Sequence, residues 1–139
     1  MIVLDTNVVS EVLKRLPAPQ VVDWMTDLDG DVAITSITLA ELWAGVRRLP
    51  EGRRKNALGA AVDRTLAPYR GTGAILAFEE RAAEQYAEVL KLREDAGLPV
   101  STADAQIAAI CRVHGATCAT RNTKDFAGTG VGLVNPWES

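Results

Sequence analysis

The sequence predicts an α/β fold, with a central parallel sheet of about five short strands flanked by helices in three layers. Two observations predict it. Short apolar runs recur at residues 2–4, 32–34, 74–76, 117–119 and 131–134, each too brief for a helix and suited to a strand buried on both faces. Between them lie longer stretches whose apolar residues repeat at helical spacing. Strands that alternate with helices run parallel, because each crossover carries the chain back to the edge where the previous strand began.

The elements follow in order. Residues 7–14 place Val8, Val9, Val12 and Leu13 at helical spacing, and Pro17 ends the segment. A second helix is expected over 19–28, with Val21, Val22, Met25 and Leu28 inward, before the turn Asp29-Gly30-Asp31. After the second strand, 38–49 forms a helix stopped by Pro50, and 53–66 forms another with Leu58, Val62 and Leu66 every fourth residue. Gly71 and Gly73 precede the third strand. A long helix over 79–96 carries Ala82, Tyr86, Val89, Leu90 and Arg93 on one stripe and stops at Gly97. The helix over 102–114 is closed by Gly115. Helices outnumber crossovers, so some crossovers carry two.

A chain of 139 residues is one domain, 1–139, long enough to bury a core without disulfides or a structural metal. Its mean hydropathy of +0.04 excludes both disorder and a membrane-embedded class, and no apolar run approaches the roughly 20 residues a bilayer requires. Met1 leads straight into Ile2-Val3-Leu4-Asp5, so no secretory leader is expected. Two cysteines, Cys111 and Cys118, in apolar surroundings suit buried thiols in the cytoplasm. A net charge of −3 excludes nucleic-acid binding by bulk charge. A local basic patch or a bound metal would have to meet a polyanion. Residues 47–55 are one such patch: Arg47, Arg48, Arg53, Arg54 and Lys55 outweigh Glu51 for a net +4, leaving −7 elsewhere. Its alternative is an ordinary solvated face.

Four polar positions stand out: Asp5, Glu41, Asp104, and Asn122 with Asp125. Each has a structural explanation. Asp5 can cap the helix after strand one, Thr38 to Glu41 and Ser101 to Asp104 match capping boxes, and Asn122 to Asp125 matches an N-cap with a carboxylate at the third helical position. Their placement argues for more. Asp5 follows strand one, Glu41 lies a helical turn after strand two, and Asn122 follows strand four, so all face the edge where parallel sheets bind ligands. Asp104 shares a helix face with Ile107 and Cys111 and points inward. Carboxylates crowded there raise one another's pKa, and a hard divalent cation, Mg²⁺ or Mn²⁺, relieves the conflict while keeping waters for a phosphate. Helix N-termini at the same edge favour that phosphate too.

The motifs Met1-Ile2-Val3-Leu4-Asp5-Thr6-Asn7, Ser36-Ile37-Thr38-Leu39-Ala40-Glu41-Leu42, Ala103-Asp104-Ala105-Gln106-Ile107-Ala108-Ala109 and Thr120-Arg121-Asn122-Thr123-Lys124-Asp125-Phe126 occur in order across the whole chain. In them the sequence resembles the PIN-domain ribonucleases, the toxin subunits of VapBC-type toxin–antitoxin pairs. The ending Val134-Asn135-Pro136-Trp137 resembles the FitB-like branch. The resemblance implies a PIN-like fold and a metal-dependent endoribonuclease that leaves a 3′-hydroxyl and a 5′-phosphate. Asp5 and Asp104 would hold Mg²⁺ or Mn²⁺, and Glu41 would be a further ligand or the base for the attacking water. The family's fourth acidic position falls on Asn122, whose amide supplies an oxygen without charge, so a second metal would bind weakly. Asp125 either contributes there or only starts a helix. Thr6 and Thr120 could orient phosphate or carboxylates, and the alternative for Thr6 is a plain helix cap. Implied partners are RNA, a small VapB-like antitoxin that inhibits the toxin and binds DNA, and a second copy of the chain, for which Leu39, Leu42, Trp43 and Val46 offer an apolar helix face.

Other residues and readings carry less. His114 stands alone at a helix end and forms no ligand set. Cys111 and Cys118 lack metal-site spacing. Trp24 and Trp43 fit packed helix faces, and Trp137 pins the tail. A phosphatase with an Asp nucleophile wants a carboxylic acid where Asn7 stands, and a phospho-acceptor receiver wants its acids after strands, whereas Glu41 and Asp104 lie in helices. A non-catalytic protein-binding module of the same fold is the remaining alternative.

Overall fold

The computed structural model describes residues 1–138. Five strands, β1 (Ile2–Leu4), β2 (Val32–Thr35), β3 (Ile75–Leu76), β4 (Thr117–Ala119) and β5 (Gly132–Val134), form one sheet in the order β3-β2-β1-β4-β5. Every neighbouring pair is parallel. The strand order therefore reverses between β1 and β4, and that reversal is where an open parallel sheet leaves a crevice at its C-terminal edge. The ladder runs past the strand ends there: Asp5 N–H donates to Ala119 O and Thr120 N–H to Val134 O, both at 2.9 Å.

Seven helices surround the sheet: α1 (Thr6–Leu13), α2 (Pro19–Thr26), α3 (Ser36–Arg48), α4 (Arg53–Leu66), α5 (Glu80–Asp95), α6 (Thr102–His114) and α7 (Thr123–Phe126). As expected, two helices fill several of the crossovers. Successive strand residues point to opposite faces, and each face has its own core. Val3, Ala33 and Cys118 pack with Ala82, Val89, Ile107, Ile110 and Phe126 from α5, α6 and α7. Leu4, Ile34 and Ala119 pack with Val8, Val9, Val21, Leu42, Val46, Val62 and Leu66 from α1 to α4. Gly115 ends α6 in the left-handed region at φ +60, which an L side chain resists.

Two local expectations are corrected. Helix α3 starts at Ser36, two residues early, with Thr35 as its cap: the Thr35 hydroxyl accepts from Thr38 N–H at 3.2 Å. The capping box from Thr38 to Glu41 does not form, and Glu41 is left on the second turn with its carboxylate uncommitted to the helix start. The apolar face of α3 is also largely used within the chain. Leu42 and Val46 are buried, and half-buried Leu39 and Trp43 pack on the same core. That removes most of the surplus from which a second copy was expected.

One buried cation ties the loops at the crevice together. Arg93 in the last turn of α5 is 3% exposed. Its Nη1 donates to Lys124 O at 3.1 Å and Ala127 O at 2.7 Å, and its Nη2 donates to Pro99 O. Nε has no partner. The guanidinium thus ties the approach to α6 to α7 through three backbone carbonyls. Replacing it should remove these charge-assisted hydrogen bonds at a cost of roughly 3 kcal/mol. Arg93→Met is expected to lower the urea midpoint accordingly, with little change in slope, and an unchanged midpoint would show that the carbonyls find other donors.

Candidate active site

The crevice is a cleft of roughly 430 Å³ lined by Asp5, Thr6, Asn7, Ser10, Glu11, Lys14, Glu41, Asp104, Arg121, Asn122 and Trp137. All four positions singled out in the sequence, Asp5, Glu41, Asp104 and Asn122, therefore meet in one place. They arrive from different layers: Asp5 from the end of β1, Glu41 from α3 on one face, Asp104 from α6 on the other, and Asn122 from the turn after β4. A larger cleft, roughly 540 Å³, opens near the start of β4 around Arg81, Glu84, Gln85 and Arg112. Its Arg112 is already engaged by Gln85 Oε1 at 2.7 Å and Thr129 O at 2.8 Å.

Asp5 is the most deeply placed of the group, 4% exposed. Its Oδ1 accepts from Thr6 N–H at 2.8 Å, capping α1. Its Oδ2 accepts from the Thr120 hydroxyl at 2.9 Å and from Asn7 Nδ2 at 3.2 Å. With its proton given to Asp5, Thr120 Oγ1 accepts from Asn122 N–H at 3.1 Å and Asn7 Nδ2 at 3.3 Å. Thr6 forms the second link. Its hydroxyl donates to Glu41 Oε1 at 2.6 Å, so across the 3.0 Å contact with Thr38 Oγ1 it accepts and Thr38 donates. Both threonines considered in the sequence thus orient carboxylates.

Burial pushes the Asp5 carboxyl up to about 6, against the lowering hydrogen bonds from Thr120 and Thr6 N–H; Asp104 and Glu41 add repulsion. Asp104 is raised as well, chiefly by burial, with Asp125 and Glu41 repelling it and the Ser101 hydroxyl and Arg93 opposing. Desolvation outranks crowding here, which reorders the cause expected from the sequence. Ser101 caps α6 through Asp104 N–H at 3.1 Å. No hydrogen bond returns from the Asp104 carboxylate to Ser101 N–H among the described residues, so half of that capping box forms.

Asn122 stands at the start of α7, yet its side chain makes no capping bond; its carbonyl accepts from Asp125 N–H at 2.9 Å instead. The side-chain cap expected there does not form. Asp125 is half-buried and does not line the cleft, though it is near enough to Asp104 to raise it. None of the basic residues of 47–55 lines the cleft either; Lys55 is bound to Glu51 at 2.6 Å and to Arg47 O at 3.4 Å. His114 is exposed at the far end of α6, ~18 Å along the helix axis from its start. Both cysteines are buried and unpaired, and the Cys118 thiol is pushed up by its hydrogen bond with Cys111 and by burial.

The cleft also contains residues to which the sequence reading gave no site role: Asn7, Ser10, Glu11, Lys14, Arg121 and Trp137. Asn7 and Arg121 each lie within two residues of a position that was singled out, at the same sheet edge, so the same reasoning reaches them. Lys14 and Trp137 had no such signal, because the fold, not proximity in sequence, carries them there. Lys14 pairs with Glu11 at 2.9 Å, and Glu11 Oε2 accepts from Ala18 N–H at 2.9 Å at the entry to α2. Those contacts hold the Glu11 carboxyl below its usual range.

Asp5 makes stability depend on pH. Its folded value lies above the unfolded one, so its contribution is complete below about 4 and is lost as pH rises through about 6. The loss at neutral pH is on the order of 3 kcal/mol. Glu11 works in the opposite sense: its carboxyl is lowered in the fold, so its contribution is lost only as pH falls toward the acid side. In chelator, the melting temperature should fall between pH 5 and 7.5, and the fall should flatten in Asp5→Ala. A flat wild-type profile would show that the Asp5 charge is not desolvated.

A family model described as "PIN domain" matches residues 2–131. The chain is 41% identical over 140 residues to "Plasmid stability protein StbB" of Pseudomonas syringae pv. tomato, covering 100% of both chains. It is 40% identical to "Toxin FitB" of Neisseria gonorrhoeae, with 99% of each covered. With "VapC ribonuclease Y4jK" of Sinorhizobium fredii it shares 34% identity over 99% of each. The crystal structure of FitAcB from Neisseria gonorrhoeae superposes with a TM-score of 0.91 at 39% identity, covering 100% of both chains. The chain belongs to the PIN-domain family of VapC/FitB-type toxins, the generally metal-dependent ribonucleases of type II toxin–antitoxin systems.

Proposed function

We propose that residues 1–139 act as a single catalytic unit that cuts RNA with the help of Mg²⁺ or Mn²⁺, in the cytoplasm. The observation that carries the reading is the delivery of Asp5, Glu41 and Asp104 from three layers into one cleft. The two free buried thiols suit a reducing compartment, and no helix is long and apolar enough to cross a membrane.

The donor set fits such an ion. It is all oxygen, and Asp5 ionises at neutral pH only against a desolvation cost that a cation would offset. Among the described residues no three Asp, Glu, His or Cys side chains stand close enough together to hold a metal ion, so Asp5, Glu41 and Asp104 are not a ready-made three-carboxylate site. Mg²⁺ needs only one or two carboxylates and keeps the rest of its shell for water and phosphate. Asp5 and Asp104 are the proposed holders, with Glu41 as a third ligand or as the base. When bound, the ion would supply Lewis acidity that activates water and offsets phosphate charge.

The chain's own groups do the remaining work. Thr6 and Thr120 each hold one carboxylate oxygen at the cleft, on Glu41 and Asp5. Glu41, exposed and with Oε1 occupied by Thr6, keeps Oε2 open to accept a proton from water. Asn122 offers an uncharged oxygen at the fourth position, so a second ion would depend on RNA phosphate for the missing charge.

Cleavage of an RNA oligonucleotide should stop in chelator and return with Mn²⁺. Asp5→Asn and Asp104→Asn should each lower the rate by about a hundredfold or more. Asn122→Asp should reduce the Mn²⁺ concentration for half-maximal cleavage, and Asp125→Asn should leave it unchanged. Full activity in chelator refutes metal dependence, and absence of cleavage by wild type under every metal favours the protein-binding module.

The antitoxin partner has a matching surface. A groove of roughly 330 Å³ lined by Leu13, Leu42, Gly45, Leu58 and Val62 shares Thr6, Ser10, Lys14 and Glu41 with the cleft. An inhibitory segment would lay apolar side chains along it and place a basic one among the carboxylates. A homodimer remains part of the proposal, resting on the half-buried Leu39 and Trp43. Light scattering of the purified chain should give twice the monomer mass, and the co-encoded antitoxin should suppress cleavage. A monomer, or undiminished cleavage, removes the corresponding partner.

A further inference from the structure

The acidic pole of the cleft faces a cation that no carboxylate binds directly, although its field reaches Glu11 and helps to lower that carboxyl. Arg121 follows Thr120 directly, and its Cζ lies 5.0 Å from the ring centroid of Trp137, within cation–π range. Its guanidinium makes no hydrogen bond or ion pair among the described residues. The facing carboxylate, Glu11, is occupied by Lys14 Nζ and Ala18 N–H. Lys14, the other cation of the cleft wall, is therefore bound to a carboxylate, whereas Arg121 touches the Trp137 ring and reaches Glu11 through its field alone.

The Arg121 backbone is held although its side chain is exposed. Asn7 Oδ1 accepts from Arg121 N–H at 3.3 Å, and the same Asn7 donates to Asp5 Oδ2 at 3.2 Å. Asn135 donates to Arg121 O at 3.5 Å while its Oδ1 accepts from Trp137 N–H at 2.9 Å. Two asparagines thus tie the stacked pair to the deepest carboxylate. The indole limits the swing of the guanidinium, and the exposed Arg121 side chain lines the cleft.

With a metal at the carboxylates to meet the scissile phosphate and Lys14 paired with Glu11, Arg121 is placed to meet a flanking phosphate of a polyanion entering the cleft. We infer that Arg121 binds a phosphate next to the scissile one in the RNA backbone, and that Trp137 is a positioning residue that holds the guanidinium flat for that contact. The inference rests on the ribonuclease reading. A guanidinium suits the task because its forked donors match two phosphate oxygens at once.

The test uses the full chain, Mn²⁺ and a short RNA oligonucleotide. Arg121→Ala should raise KM about tenfold with kcat within a few-fold and the half-maximal Mn²⁺ concentration unchanged, and it should flatten the salt dependence of KM by about one phosphate contact. Trp137→Leu should give a smaller rise in KM, and Trp137→Phe should restore most of it. RNAs with a neutral methylphosphonate at single positions locate the contact: one flanking substitution should impair wild type and not Arg121→Ala. An unchanged KM in Arg121→Ala overturns the inference while leaving metal-dependent cleavage intact. A loss in kcat alone, or a shift in the Mn²⁺ requirement, also overturns it, since either places Arg121 in the carboxylate machinery. If wild type cleaves no RNA, the ribonuclease reading fails first, and fluorescence anisotropy with the same RNAs decides the contact: weaker binding by Arg121→Ala supports it and equal binding overturns it.

Discussion

A carboxylate buried at the reversal of strand order is the constraint on which this molecule turns. Asp5 sits under the crevice with three donors on its two oxygens, from α1, from Asn7 and from the end of β4. Burial alone would favour the neutral acid. The donors pull the other way and fix the group's direction, so the carboxyl stays poised near neutrality rather than being locked in either state. Moving β4 by one residue would replace Thr120 with a side chain pointing to the other face, and the arrangement would fail.

Around that point the fold distributes opposite tasks. Each face of the sheet has its own apolar core, and each face lends one acidic residue to the edge. Packing therefore sets how far Glu41 and Asp104 stand from Asp5, with no direct bond among the three. Arg93 supports the far side. It is a cation kept out of water by carbonyls alone, and its field eases the charge on Asp104 while its donors hold the neighbouring loops.

Much of this was legible in the sequence because it depends on short-range patterns. Three-residue apolar runs marked the strands, and the polar residue after each marked the functional edge. Asp5, Glu41, Asp104 and Asn122 emerged from that logic. Three features did not. The start of α3 was misplaced because Thr35 and Thr38 both suit a cap and only the sheet decides between them. The weight of desolvation over repulsion at Asp5 depends on burial, which spacing does not encode. Trp137 meets Arg121 only after β5 brings the tail alongside β4, so nothing local announced the pair.

The pairing of β1 with β4 joins the beginning of the chain to residues far along it, and the Asp5–Thr120 hydrogen bond spans a separation of 115 residues. Contacts this distant form late, because the intervening chain must be ordered before they close. A chain emerging during synthesis exposes Asp5 and Glu41 early, but Thr120, which orients Asp5, follows Asp5 by 115 residues. The cleft therefore needs β4 in place, and chains truncated before it would carry Asp5, Glu41 and Asp104 without their geometry.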